Sequence, residues 1–132
     1  MKPLKQYACL LLLGLFFTFG CKKGKQQNKI QDEKQLQTIM GKIKALAESS
    51  KCTENQPLKF KAIGAKACGG PTGYIGYSTS IDTEELEKLV DQYTNLQKEF
   101  NKKWQITSDC MYLMPPKLIK CENGQPVLVY QN

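Results

Sequence analysis

Two stretches of this 132-residue chain carry apolar residues at steps of three and four positions. The first covers about residues 32–50 and the second residues 82–104. The apolar positions are Leu36, Ile39, Met40, Ile43, Leu46 and Ala47 in the first, and Leu86, Leu89, Val90, Tyr93, Leu96 and Phe100 in the second. Because this spacing places each set on one face of a helix, it predicts two amphipathic helices. Asp82, with Glu85 three residues on, is typical of a helix N-cap.

Shorter runs with alternating or extended character predict strands. In residues 58–63 apolar side chains alternate with Lys59 and Lys61, so we expect the lysines to face solvent and the apolar side chains to face the core. Further extended runs cover residues 74–78, 109–114, 117–121 and 126–130. The last two flank Asn123 and Gly124, a pair typical of a tight hairpin turn. The predicted fold is α+β, a small antiparallel sheet packed by two amphipathic helices.

The N-terminal segment has the order of a signal peptide. Two lysines precede the apolar run 8–19, which is too short to span a bilayer comfortably, and Gly20 and Cys21 follow it. This arrangement resembles the type II signal peptide of bacterial lipoproteins. Its lipobox is a relaxed one, because Thr18 and Phe19 stand where an aliphatic and a small residue are usual.

The resemblance implies that residues 1–20 are removed and that Cys21 is lipidated, with acyl chains such as palmitate holding the protein at a membrane. Residues 21–31, rich in lysine and glutamine, are then expected to form a flexible tether, and residues 32–132 a single domain. Lys22, in place of an aspartate after the cysteine, implies the outer membrane of the cell envelope, on its periplasmic or surface face. The alternative is an ordinary secretory signal that leaves Cys21 as a thiol.

Four cysteines remain in the domain, namely Cys52, Cys68, Cys110 and Cys121. Export places them in an oxidising compartment, so we expect two disulfide bonds. A zinc site usually brings cysteines in close pairs and often recruits histidine, and this chain has no histidine and no such pair. Because Cys110 and Cys121 flank a Pro-Pro pair symmetrically, we expect Cys110 to pair with Cys121, and Cys52 with Cys68.

The charge and the residue inventory exclude several function classes. The net charge is +7, but every basic residue is lysine, whereas nucleic-acid recognition favours arginine, so we expect no nucleic-acid partner. Without histidine there is no Ser-His or Cys-His couple and no common metal site. A Ser-Lys catalytic pair could be formed by Ser78 or Ser80 with Lys66, but no known catalytic motif surrounds these residues. We therefore expect a protein that is not an enzyme and holds no cofactor and no metal.

Three stretches resemble a group of small, uncharacterised exported bacterial proteins. These are residues 66–74 (KACGGPTGY), the Tyr-Ser-Thr of residues 77–79, and the Ser-Asp-Cys of residues 108–110. The resemblance implies a single exported domain and transfers no site residues.

We expect a non-catalytic module that binds or inhibits another protein of the envelope or a secreted protein. Its candidate contact surface is a glycine-rich turn with two tyrosines, Gly69, Gly70, Pro71, Thr72, Gly73, Tyr74 and Tyr77. The same residues have a structural interpretation, in which the glycines serve only the turn and the tyrosines only the sheet. The alternative functions are a structural or assembly accessory of the envelope, and a small-ligand or glycan binder with Trp104 and the tyrosines as a stacking surface.

Overall fold

A computed structural model describes residues 21–130 of the chain. The fold is α+β, with two helices and two small antiparallel sheets of two strands each. In chain order the elements are α1 (Cys21–Ser49), β1 (Leu58–Ile63), β2 (Gly73–Ser78), α2 (Thr83–Trp104), β3 (Leu118–Glu122) and β4 (Gln125–Val129). Neither helix is long and apolar enough to cross a membrane. The predicted signal peptide, residues 1–20, lies outside the described residues.

Helix α1 begins at Cys21, well before the predicted start near residue 32. The segment 21–31, predicted to be a flexible tether, is therefore helical in this structure. Its composition permits this, because lysine and glutamine, which make up most of the segment, are good helix formers, and Gly24 carries the largest helix penalty in it. Lys29 and Glu33 add an ion pair of 3.8 Å between residues four apart on the helix surface.

Helix α2 agrees with its sequence signals. Asp82 is the N-cap, and its Oδ1 accepts a hydrogen bond of 2.9 Å from the backbone N–H of Glu85. The helix ends at Trp104, where Gln105 takes a left-handed conformation and its backbone N–H bonds to the carbonyl of Asn101. The predicted apolar stripe is the buried face, since Leu86 and Val90 are fully buried.

The faces of β1 are the reverse of the prediction. Phe60 and Ala62, expected in the core, are exposed. The lysine side instead faces α2, where the Nζ of Lys61 lies 2.9 Å from a carboxylate oxygen of Asp91. Lys59 makes a looser ion pair with Glu87, at 3.8 Å. A lysine can occupy this face because its stem packs along the helix while its charged end meets a helix carboxylate at the edge.

Strands β1 and β2 pair antiparallel from Leu58 opposite Ser78 to Ile63 opposite Gly73. This sheet lies between the helices and the β3–β4 hairpin. Gly76 allows the β3–β4 hairpin to pack closely against this sheet, because a Cβ at this position would lie 2.9 Å from Ile119 Cδ1 and 3.0 Å from Leu128 Cδ2.

The β3–β4 hairpin turns at Asn123 and Gly124, both with positive φ, as the sequence predicted. It forms its own two-stranded sheet and does not extend the first one. Residues 109–114, predicted to be extended toward a hairpin with its tip at the two prolines, contain no strand and form part of an irregular connection from residue 106 to residue 117.

The core lies where α1, α2 and the first sheet meet. Its buried members are Leu36, Ile39, Ile43, Ala47, Ile63, Tyr77, Leu86, Val90 and Tyr93. Two polar residues, Ser50 and Ser78, are also fully buried beside this core. Ser78 satisfies its hydroxyl by donating to the carbonyl of Lys51, with Ser80 Oγ a further 2.7 Å partner. These serines thus serve the packing of the loop after α1.

The disulfide bond joins Cys52 to Cys121, so both predicted pairings were wrong. Cys52 follows α1 directly and is buried, and its N–H donates to the carbonyl of Gly124 at 3.1 Å. This bond brings the hairpin turn, and with it β3, against the end of α1. Cys110 lies in the irregular connection, not in a strand opposite Cys121. The equal spacing of these two cysteines from the prolines therefore did not predict their pairing.

Candidate functional site

The site forms where two sequence motifs, separated by about forty positions, come together. One is the turn after β1, which carries Lys66 and Cys68, and the other is the segment Ser108, Asp109 and Cys110. The backbone N–H of Cys68 lies 3.3 Å from Ser108 Oγ, and its thiol lies 3.3 Å from both that hydroxyl and the carbonyl of Asp109. The structure thereby brings together two stretches that are far apart in the sequence, residues 66–74 and residues 108–110.

Helix α2 fixes the start of this turn through a row of polar side chains, Thr94, Gln97 and Asn101. Thr94 Oγ1 accepts from the N–H of Gly64 at 3.0 Å, and Gln97 Oε1 accepts from the N–H of Ala65 at 2.8 Å. Asn101 Nδ2 donates to the carbonyl of Ala65 at 2.8 Å. Buried backbone groups need such partners, so these contacts set the path of the chain into the site.

Lys66 ties the irregular connection to the turn. Its Nζ donates to Asp109 Oδ1 at 2.7 Å and to the carbonyl of Met111 at 2.8 Å. The hydrogen bond and the charge of this lysine lower the pKa of the Asp109 carboxyl, which favours its carboxylate form. A second bond within the turn, from the Lys66 N–H to the carbonyl of Gly70 at 2.9 Å, holds the lysine's own backbone.

Cys68 and Cys110 are exposed thiols in neighbouring segments, since Cys68 Sγ donates to the carbonyl of Asp109, the residue before Cys110, at 3.3 Å. The hydrogen bond from Cys110 and then that from Ser108 lower the pKa of the Cys68 thiol, with the charge of Lys66 adding to them. The hydrogen bond between the two thiols raises the pKa of the Cys110 thiol, because Cys110 acts as its donor. Of the two sulfurs, Cys68 is therefore the one that ionises first.

Beyond the thiols the irregular connection exposes large apolar side chains. Met111 is 72% exposed, Tyr112 79% and Met114 60%. Tyr130 is also exposed, and it lines an open cavity of about 260 Å³ together with Met114, Pro115, Pro116 and Lys117. We call Met111, Tyr112, Met114 and Tyr130 the docking surface.

Tyr74 lies at the base of the docking surface. Its hydroxyl is 3.4 Å from the carbonyl of Leu113, which anchors the middle of the exposed segment. Burial, and then the neighbouring phenols of Tyr112 and Tyr130, raise the pKa of Tyr74.

The predicted contact surface is only partly available. Gly69, Gly70 and Thr72 are exposed, and Pro71, Gly73 and Tyr74 are half-buried. Thr72 closes the turn, since its N–H and its Oγ1 both donate to the carbonyl of Ile63. Tyr77 is a correction: it is 2% exposed, and its hydroxyl donates to Glu87 Oε1 at 2.7 Å, so it belongs to the core. Burial and this bond raise the pKa of Tyr77.

Sequence reasoning missed Met111, Tyr112 and Met114, because a continuous apolar run before two prolines resembles a buried strand. The signal that distinguishes them is Pro115-Pro116, since consecutive prolines cannot donate to a sheet. Trp104, considered as a stacking surface, is half-buried beside Phe100, at 6.4 Å between ring centroids, with Lys103 Nζ 5.1 Å from its ring. Across residues 21–130 no cluster of three or more acidic, cysteine or histidine side chains is placed to hold a metal.

The chain matches no protein-family model, no curated protein and no solved structure.

Proposed function

We propose that the protein is a lipoprotein of the bacterial cell envelope that binds, and by binding inhibits or sequesters, another protein through the docking surface. The observation that carries this proposal is the exposure of Met111, Tyr112 and Met114 side by side on a segment without regular structure. Tyrosine and methionine are enriched in the cores of protein interfaces, and methionine adapts to irregular partner surfaces.

The docking surface has the mechanical support that a binding site needs. Lys66 holds the carbonyl of Met111, and Tyr74 reaches that of Leu113, so the exposed side chains project from a backbone fixed at two points. Less conformational entropy is lost when such a segment binds than when a free loop does. The cavity beside Met114 and Tyr130 suits an apolar side chain of the partner, and Lys117 at its rim favours carboxylates around that side chain.

A protein partner accounts for these residues better than the two alternative functions do. For a glycan binder the predicted stacking surface includes Trp104, which is half-buried against its own helix neighbours, and the exposed Tyr112 stands among apolar residues such as Met111. A structural accessory without a discrete ligand leaves the clustered exposure of methionine and tyrosine without a purpose, since large apolar patches on a soluble surface favour aggregation. It remains the interpretation to adopt if no partner binds.

Attachment to the membrane is the first part of the proposal to test. We expect the intact mass of the protein extracted from membranes to equal residues 21–132 plus acyl chains on Cys21, because a signal followed directly by cysteine supplies the lipidation site. A Cys21→Ser variant, which has no thiol to lipidate, should lack the acyl mass. An unmodified wild-type protein found in the soluble fraction would favour the ordinary secretory signal.

Binding is tested with the protein immobilised and exposed to envelope and secreted fractions, followed by titration of the purified partner. We expect Tyr112→Ala combined with Met111→Ala to weaken the dissociation constant at least tenfold, corresponding to about 1.4 kcal/mol, because both side chains are free to bury on contact. Ile30→Ala is the matched control, since Ile30 is also an exposed apolar residue but lies on α1. Equal affinity of all three proteins would remove the docking surface from the proposal.

A further inference from the structure

Cys68 and Cys110 differ from the Cys52–Cys121 pair in every respect that governs thiol chemistry. Cys52 is buried and bonded to its partner, whereas Cys68 and Cys110 are exposed and carry free thiols. The two thiols nevertheless belong to one contact, because Cys68 Sγ lies 3.3 Å from Ser108 Oγ and 3.3 Å from the carbonyl of Asp109, the residue directly before Cys110. One comes from the turn after β1 and the other from the irregular connection. Exposed thiols held next to each other beside a cation are the arrangement that thiol–disulfide exchange requires.

We propose that Cys68 and Cys110 form a reversible redox pair that exchanges with an external disulfide, with Cys68 as the attacking sulfur and Cys110 as the resolving one. This inference does not rest on the proposed binding function. Its substrate class is a disulfide, of a small thiol or of another protein, that reaches the open face of the turn.

The exchange balances without a further reactant. The Cys68 thiol loses its proton to solvent, and the thiolate attacks one sulfur of the external disulfide, forming a mixed disulfide and expelling the first thiolate. Cys110 then loses its proton and attacks the Cys68 sulfur, forming the internal bond and expelling the second thiolate. The two expelled thiolates take up the two protons. The protein pair is oxidised by two electrons and the external disulfide is reduced to two thiols.

The surroundings distinguish the roles of the two sulfurs. The Sγ of Cys68 lies 3.3 Å from the Ser108 hydroxyl, and Cys68 is in the same turn as the Lys66 ammonium. The hydroxyl and the ammonium both favour the thiolate form of Cys68. At Cys110 the hydrogen bond to Cys68 raises the thiol pKa most, burial and the charges of Cys68 and Asp109 raise it further, and the charge of Lys66 lowers it. Lys66, whose Nζ lies 2.7 Å from Asp109 Oδ1, thus favours the thiolate of both sulfurs, and the Ser108 hydroxyl favours that of Cys68 alone.

The bond would have a mechanical result as well. It would join the turn at Cys68 to the irregular connection one residue before Met111, where the docking surface begins. The connection is now held there by Lys66 and by weak sulfur contacts, so oxidation would replace them with a covalent link.

The test uses the full chain, reduced only at the exposed thiols and equilibrated in graded mixtures of reduced and oxidised glutathione. After acid quenching, free thiols are alkylated and the peptides are mapped by mass spectrometry. We expect Cys68 and Cys110 to pass from alkylated to mutually bonded across the series, while Cys52–Cys121 stays oxidised throughout. Thiols that remain alkylated in pure oxidised glutathione, or a Cys68–Cys110 bond as resistant to reduction as Cys52–Cys121, would overturn the proposal.

Single variants test the roles. With Cys110→Ser the mixed disulfide should accumulate on Cys68, since nothing resolves it. With Cys68→Ser the adduct on Cys110 should form more slowly than the adduct on Cys68 forms with Cys110→Ser, because Cys68 keeps the Ser108 hydroxyl as a partner whereas Cys110 lies next to the Asp109 carboxylate. Lys66→Met should slow the reaction of Cys68, whereas Lys61→Met, which removes a comparable ion pair on β1, should not. Equal rates at both sulfurs would contradict the assignment of Cys68 as the nucleophile.

Discussion

Replacing Cys52 and Cys121 together with alanine is expected to lower the free energy of unfolding by about 4 kcal/mol. The two residues are 69 positions apart, so the bond removes much of the freedom of the unfolded chain between them. A domain of this size has a modest core, and a loss of that magnitude is a large part of the total stability available to it. Urea denaturation followed by far-UV circular dichroism, under oxidising conditions, measures the change.

The exposed cysteines provide the matched control for this double variant. Cys68→Ser combined with Cys110→Ser removes the same number of sulfurs from surface positions where no bond is present. Its urea midpoint of unfolding should stay close to that of the wild type when both proteins are measured directly after purification in buffer without reductant. If the Cys52/Cys121 variant were no less stable than this control, the bond would contribute nothing to folding and its position at the end of α1 would be incidental.

Gly64→Ala is expected to cost about 3 kcal/mol, through two separate effects. Gly64 has a φ of 76°, where a side chain is strained, and a Cβ there would overlap Thr72 Oγ1 and lie 2.5 Å from Gln97 Oε1. Gln97 is the partner of the Ala65 N–H, so moving it also breaks a bond that guides the chain into the site. We expect a lower unfolding midpoint and faster alkylation of Cys68, because the turn carrying it is loosened.

Gly70→Ala separates strain from crowding. Gly70 has a similar φ of 81°, but no atom lies within 4 Å of where its Cβ would be. This variant should lose only the backbone part of the cost, about 1 kcal/mol. Equal destabilisation by the two substitutions would show that overlap with Thr72 and Gln97 relaxes freely, and that the polar row on α2 does not constrain the turn.

Features decided by neighbouring residues could be predicted from the sequence. Asp82 caps α2 because the hydrogen bond it makes spans only three positions, and the hairpin follows from Asn123 and Gly124 because the turn itself requires positive φ. The limits of β1 were likewise predicted, since they depend on alternation and on the turns that bound it. In each case the physical cause lies within a few residues.

Features decided by tertiary contacts could not be predicted in this way. Alternation along β1 marks two faces but not which one meets a helix, and Glu87 and Asp91 reverse the expected choice by pairing with its lysines. Cysteine pairing depends on which loops meet, and four cysteines allow three arrangements. The docking surface depends on where an irregular segment runs, which Lys66 fixes by contacts to positions more than forty residues away.

The Cys52–Cys121 bond makes the chain between these residues a closed covalent ring. Both the docking surface segment 111–114 and the Cys68 turn lie inside that ring. A protease that cuts one peptide bond in the exposed segment would therefore release no fragment, and the nicked molecule would keep its two new ends joined through sulfur. A single cut in this segment thus interrupts the backbone at one point without separating the protein into two pieces.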